Sequence, residues 1–147
     1  FVSWPMHQSI KATRQFLLYA WQAWAQGLDF SFSIRLKATN RLVGACGFLN
    51  DAGKTQIGYV LGPLHWNSGY ATEATQMLVQ LLSAQSDVVK IGSFVDAENH
   101  ASARVLQKCG FVVEAVLKEW WKFPNQNFQA KDCLLFQYPL TTKPDSH

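Results

Sequence analysis

Apolar and polar positions along the chain alternate between two periods. Ile10, Leu17, Ala20, Trp21 and Trp24 recur at helical spacing behind Ser9, a good helix-capping residue, and Gly27 supplies a stop. A helix over residues 9–26 follows. From Phe30 to Leu36 the period drops to two, with Phe30, Phe32, Ile34 and Leu36 on one face and Ser31, Ser33 and Arg35 on the other. That pattern predicts a half-buried antiparallel strand. Thr39-Asn40-Arg41 and Asn50-Asp51-Ala52-Gly53-Lys54 read as tight turns around Leu42–Leu49 and Gln56–Leu61, so three strands form a meander that Gly62-Pro63 ends.

A second helix, about Ala71 to Ser83, carries Ala74, Met77, Leu78, Leu81 and Leu82 on one stripe to pack on the sheet. Val88 to Val95, rich in β-branched residues, is a fourth strand. Asn99 to Lys108 reads as a short helix with Ala101, Val105 and Leu106 turned inward and Gly110 as a left-handed stop after Cys109. Strands near Val112–Leu117 and Cys133–Tyr138 complete an α β β β α β α β β order without repeats or linkers. One domain over residues 1–147 is expected, with 141–147 as a frayed tail.

Composition narrows the class. With 48% of 147 residues hydrophobic, the chain can bury a real core. Its net charge of +3 comes from scattered basic residues, with no contiguous basic run of the kind nucleic acid requires. Cys46, Cys109 and Cys133 are odd in number and show no CxxC pair or metal-ligand spacing, so no metal is expected and the thiols read as reduced core residues of a cytoplasmic protein. No apolar run approaches the roughly 20 residues that span a bilayer, and no membrane partner is expected.

The stretch "HWNSGYATEA" raises a chemical question, because small residues stand where the second helix begins. A helix N-terminus has backbone N–H groups without intrahelical partners, and a loop of small residues lets an anion reach them. Asn67-Ser68-Gly69-Tyr70-Ala71-Thr72 is therefore a candidate pyrophosphate cradle built from main chain. Gly69 alone is equally what an ordinary turn with positive φ uses. The stretch contains no lysine or arginine, so backbone groups and the helix dipole are expected to hold the anion. Neither the phosphate loop ending in Gly-Lys-Ser/Thr nor a GxGxxG fingerprint is present.

Two segments, "IGYVLGPLHWNSGYATEA" and "NHASARVLQKCGF", together resemble the GNAT-superfamily N-acetyltransferases, and within them the ribosomal-protein-acetyltransferase-like (RimJ/RimL-type) branch. The first is similar to the acetyl-coenzyme A signature, here Trp66 to Ala71. The second is similar to the family's other cofactor segment, here Asn99, Ser102, Gly110 and Phe111. The resemblance covers roughly residues 9 to 140. It implies an α+β fold in which a mixed, mostly antiparallel twisted sheet is flanked by helices and two strands splay to form the acetyl-CoA cleft.

The resemblance also implies roles. Tyr59, Val60 and Leu61 would offer main-chain groups to the pantetheine arm, Asn67, Ser68, Gly69, Tyr70, Ala71 and Thr72 would hold the pyrophosphate, and Asn99, Ser102 and Arg104 would complete the cofactor site. Asn99 is also a good N-cap and Arg104 an ordinary solvated helix residue. Where much of the family has a proton-donating tyrosine this chain has Leu106, so Ser102 is the candidate donor, or else orients the cofactor. Gln56 stands where the family often has a glutamate base. It cannot accept a proton but can orient a water, and His65 is a titratable neighbour nearer the pyrophosphate end.

A weak base limits the acceptor. An α-amine is roughly 14% neutral at pH 7 and a lysine-like amine roughly 0.04%, so a peptide N-terminus or another low-pKa amine is expected over a polyamine. Trp120, Trp121, Phe123 and Phe128 are candidates for an apolar acceptor wall or for hairpin core, with Glu119 and Asp132 as polar acceptor contacts. Family members usually carry a first strand and first helix ahead of the element placed at Ser9, where this sequence has only eight residues. The Phe30–Leu36 strand is therefore expected to show an open edge, so that either the protein is longer or another subunit covers that edge in a homodimer. Two other readings are a catalytically degenerate coenzyme A-binding sensor and a nucleic-acid-binding module.

Overall fold

The computed structural model describes residues 9–122, 127 and 129–141. Its elements are α1 (Ile10–Ala25), β1 (Asp29–Arg35), β2 (Leu42–Asp51), β3 (Lys54–Leu61), a 3-10 turn (Pro63–His65), α2 (Tyr70–Ser83), β4 (Lys90–Asp96), α3 (His100–Lys108), β5 (Val112–Lys122) and β6 (Ala130–Tyr138). The expected order of elements is therefore the observed one. β5 runs further than its apolar pattern suggested, so Trp120 and Trp121 belong to a strand. Phe123 and Phe128 lie outside the described residues.

Ser9 caps α1, its Oγ accepting from the Ala12 N–H at 3.1 Å. Most of its apolar stripe is not buried. Ile10, Leu17, Trp21 and Trp24 are exposed, and Ala23 is the buried residue of the helix. Trp24 makes edge contacts with Phe30 and Phe32, which tie the helix end to β1. In α2, Ala74, Leu78 and Leu82 are buried as expected, but Met77 and Leu81 are exposed and Thr75 and Val79 take their place. The helix has turned toward its 75/79 edge because α3 packs beside it as well as β3 beneath it.

The six strands form one open sheet in the order β1-β2-β3-β4-β6-β5, antiparallel everywhere except between β3 and β4. β1 is an end strand. Cys46, Ile57, Leu78, Leu82, Ile91, Leu106, Phe111 and Phe136 form the core where α2 and α3 cover the middle of the sheet. Loss of buried groups such as Leu78 costs on the order of 3–5 kcal/mol, so this centre is the rigid frame on which the cleft stands.

That frame contains a fork. β3 and β4 pair through only three rungs, Lys54↔Lys90, Thr55↔Ile91 and Gln56↔Gly92. Beyond them Ser93 Oγ reaches across to donate to the Ile57 carbonyl at 3.0 Å, while β3 runs on to Leu61 bonded to β2 alone. Main-chain groups of alternate strand residues face the same edge. Those of Tyr59 and Leu61 therefore face the opening, as Ile57 does, whereas those of Val60, expected to serve the same arm, face β2.

Candidate functional site

A cavity of about 620 Å³ opens at this fork, walled by β3, the loop into α2 and one side of α3. Tyr59, Val60 and Leu61 line it from the strand, and Asn67, Ser68, Gly69, Tyr70, Ala71 and Thr72 from the loop and first turn of α2. Asn99, Ser102 and Arg104 line it from α3. Two segments about 30 residues apart in sequence thus face one space. A depression of about 350 Å³ elsewhere, bounded by Arg14, Leu17, Leu18 and Trp21, lies on α1 alone, with Arg14 as its charged residue.

Backbone geometry at the entrance of α2 suits an anion. Gly69 is the N-cap with φ 80° and ψ 0°, and no side chain caps the helix. The first intrahelical bond runs from the Glu73 N–H to the Gly69 carbonyl at 3.0 Å, which leaves the N–H groups of Tyr70, Ala71 and Thr72 without intrahelical partners. Asn67 also has positive φ, 59°, and concave backbone of this kind gathers N–H groups. A Cβ built on Gly69 would meet no protein atom within 4 Å. The glycine is therefore required by its backbone angle, and the space before it is open.

Cations do reach the site, contrary to the expectation drawn from the loop alone. Arg104 and Lys108, one turn apart on α3, both line the cavity. Lys108 was not anticipated, although its spacing of four from Arg104 puts both on one helix face. Ala101 and Val105, expected to turn inward, line the cavity instead, while Leu106 is buried at 1% exposure and takes the core side.

The asparagine at the head of α3 has a definite structural duty. Asn99 Oδ1 accepts from the Ser102 N–H at 3.1 Å, and the Asn99 N–H donates to the Asp96 carbonyl at 2.8 Å. Asp96 is itself buried and accepts from the Glu98 N–H at 2.9 Å, so the turn from β4 into α3 is fixed from beneath. Cys109 Sγ contacts the Thr72 carbonyl at 3.6 Å, holding the end of α3 to the start of α2.

Side-chain chemistry at the fork centres on Tyr59. Its hydroxyl donates to Ser102 Oγ at 3.1 Å. Burial pushes the Tyr59 phenol above its ordinary range, the Ser102 hydrogen bond opposes this, and Cys109 adds a smaller upward push. Trp66 Nε1 donates to the Leu61 carbonyl at 3.0 Å and covers one of the backbone groups facing the opening. Only the main chain of Tyr59 was expected to matter, because strand alternation alone does not reveal that its ring meets Ser102.

Gln56 does not line the cavity. It lies three residues before Tyr59, and odd spacing in a strand sends the two side chains to opposite faces. Its amide packs over Gly92 at the last rung, and its Oε1 is buried without a hydrogen-bond partner. Trp121 packs against Phe94, and Asp132 pairs with Lys118 at 2.9 Å and accepts from the Glu119 N–H, so these groups belong to the β5–β6 hairpin. Among the described residues, no group of three or more His, Cys, Asp or Glu side chains could hold a metal. No helix described is long and apolar enough to cross a membrane.

Comparison with known proteins decides the family, since the acetyltransferase (GNAT) domain profile matches residues 1–112. The chain belongs to the GNAT acetyltransferase family. An uncharacterized N-acetyltransferase p20 of Bacillus licheniformis is 35% identical over 100 residues, 66% of this GNAT chain and 56% of that relative. The chain thus spans little more than half the length of the curated relatives it matches. The fold is that of a ribosomal-protein-S5-alanine acetyltransferase from Vibrio fischeri, with TM-score 0.80, 21% identity, and coverage of 97% of this chain and 81% of that one. A microcin C7 self-immunity acetyltransferase solved with acetyl-CoA and AMP aligns at TM-score 0.81 and 20% identity, over 88% of this chain and 71% of that one.

Proposed function

We propose that this GNAT domain is an acetyl-CoA-dependent N-acetyltransferase that passes the acetyl group directly to a primary amine. The observation that carries the reading is the uncapped first turn of α2 opening on the β3–β4 fork, with three N–H groups lacking intrahelical partners beside an empty space at Gly69. The residues fit coenzyme A as substrate. Asn67 to Thr72 would hold the pyrophosphate, with Arg104 and Lys108 adding positive charge, and the Tyr59 main chain would take the pantetheine amides. Ser102 would donate a hydrogen bond to the departing sulfur, and Gln56 would orient a water or the acceptor from the opposite face.

No aspartate or glutamate lines the cavity among the described residues. A low-pKa amine, such as a peptide N-terminus, needs least help from a base and is the acceptor class this lining favours. Calorimetry with acetyl-CoA, followed by thiol release with a panel of short peptides and polyamines, tests both points. Acetyl-CoA binding with peptide-dependent release is expected. Activity on spermidine with none on any peptide would refute the acceptor class, and absence of acetyl-CoA binding would refute the reading as a whole.

Two observations favour a second reading, a coenzyme A-binding module without turnover: Gln56 stands off the cavity, and Leu106, at the position where much of the family has a tyrosine, is buried in the core. Tight coenzyme A binding with no acceptor-dependent release would select it.

A further inference from the structure

We infer that Tyr59 is a positioning residue for acetyl transfer, its phenol occupying an acceptor lone pair of Ser102 so that the serine's own hydrogen points into the cleft. The inference rests on the acetyltransferase reading above and adds to it a side chain that acts only through Ser102.

Three features carry it. Tyr59 and Ser102 come from different elements, β3 and the first turn of α3, and their hydroxyls meet at 3.1 Å where both side chains line the cavity. Ser102 is held from behind, because its N–H is bonded to Asn99 Oδ1 at 3.1 Å. Ser102 Oγ has no acceptor for its own hydrogen among the described residues, so that hydrogen is available to a ligand.

The direction of the bond follows from acidity. A phenol is the stronger donor of the two hydroxyls and an alcohol oxygen the better acceptor, so Tyr59 donates and Ser102 accepts. Burial keeps the phenol protonated, which preserves this direction. A hydroxyl that accepts one hydrogen bond donates a stronger one, since bonds in a chain polarise each other. During transfer the amine nitrogen bonds to the acetyl carbon, the carbon–sulfur bond breaks with its electron pair remaining on sulfur, and the surplus ammonium proton passes to water. Ser102 then meets the developing thiolate with an already oriented donor, and Tyr59 undergoes no net change.

Tyr59→Phe, Ser102→Ala, the double variant and Ser102→Thr test this in the full chain. Acetyl-CoA binding is measured by calorimetry, and turnover by enzyme-dependent thiol release with hydroxylamine as a generic low-pKa acceptor. Ser102→Ala is expected to lower kcat about 100-fold, as removal of one preorganised donor does. For Tyr59→Phe the expected fall is about tenfold with acetyl-CoA affinity unchanged. In the Ser102→Ala background the Tyr59 change should have no further effect, and in Ser102→Thr, which keeps a hydroxyl, it should again cost about tenfold.

Multiplying effects in the double variant, or a Tyr59→Phe loss expressed in acetyl-CoA affinity, would overturn the inference and leave the acetyltransferase reading standing. A wild-type chain that gave no acceptor-dependent thiol release with hydroxylamine or with any peptide or polyamine would bring down both.

Discussion

Helices α2 and α3 direct their first turns at the same cavity, yet they begin in opposite ways. α3 spends a side chain on itself: Asn99 Oδ1 takes the Ser102 N–H, and a buried aspartate braces the turn before it. α2 begins at Gly69, which has no side chain to offer, and three N–H groups stay without intrahelical partners. A side-chain cap contributes about 1 kcal/mol to a helix. The difference teaches which helix end is a scaffold and which is a receptor, since forgoing that stability is intelligible where an external anion supplies the missing acceptors.

The largest effect should come from breaking the open entrance. Gly69→Val asks a β-branched residue to hold φ near 80° and places its methyl groups in the empty space before the helix. Acetyl-CoA binding is expected to fall below detection in calorimetry, a loss of at least about 100-fold, with unfolding free energy reduced by only about 1–2 kcal/mol. Unchanged affinity in that variant would mean that the glycine serves a turn and nothing else.

The closed entrance should respond in the reverse sense. Asn99→Ala removes the cap, and denaturant titration should show a loss of about 1 kcal/mol. Asn99→Asp keeps the cap and brings a negative charge to the cavity wall. It should retain stability and weaken acetyl-CoA binding about threefold at low salt, an effect that fades as salt is added. If Asn99→Ala left stability intact and abolished binding, the division between scaffold and receptor would be wrong.

How much of this was legible in the sequence follows the same division. Element order and the meander could be read directly, because period and turn chemistry are local properties, and the two segments that meet at the cavity stood out by their family resemblance. The sequence also drew attention to Gly69 and Asn99, and the structure separates them by whether a side chain caps the helix. What could not be read was anything set by neighbouring elements. α1 buries Ala23 and exposes its apolar stripe, and α2 buries Thr75 and Val79 over Met77 and Leu81 because a second helix lies beside it. Lys108 escaped notice because it stands about 40 residues from the loop whose lack of a cation it makes good, although both line one cavity. Tyr59 is the same case, a strand residue whose partner comes from a later helix.

A weaker test adds or removes cations around the open entrance. Lys108→Ala should weaken acetyl-CoA binding a few-fold and flatten its salt dependence, while Ser68→Lys should tighten binding to a similar degree. Equal salt dependence in parent and Lys108→Ala would show that α3 contributes no charge to the ligand.

The smallest effect concerns the residue just before the closed entrance. Glu98 precedes the Asn99 cap and bonds Lys131 at 2.8 Å, which holds the Glu98 carboxyl below its ordinary range and the Lys131 ammonium above its own. A carboxyl with a lowered folded-state pKa contributes stability that is fully present above its unfolded value and is lost as pH falls through the folded one. For Lys131 the raised value means stability present below the ordinary lysine range and lost as pH rises through the folded value. Both contributions are present together at neutral pH. The pair lies on the surface, so its effect is slight and screened by salt. Glu98→Gln should therefore unfold at a slightly lower temperature than the parent at pH 7 and low salt, and at the same temperature once pH is below the carboxyl range. A parent-to-variant difference that persisted in acid would show that Glu98 supports the α3 entrance through packing and not through its charge.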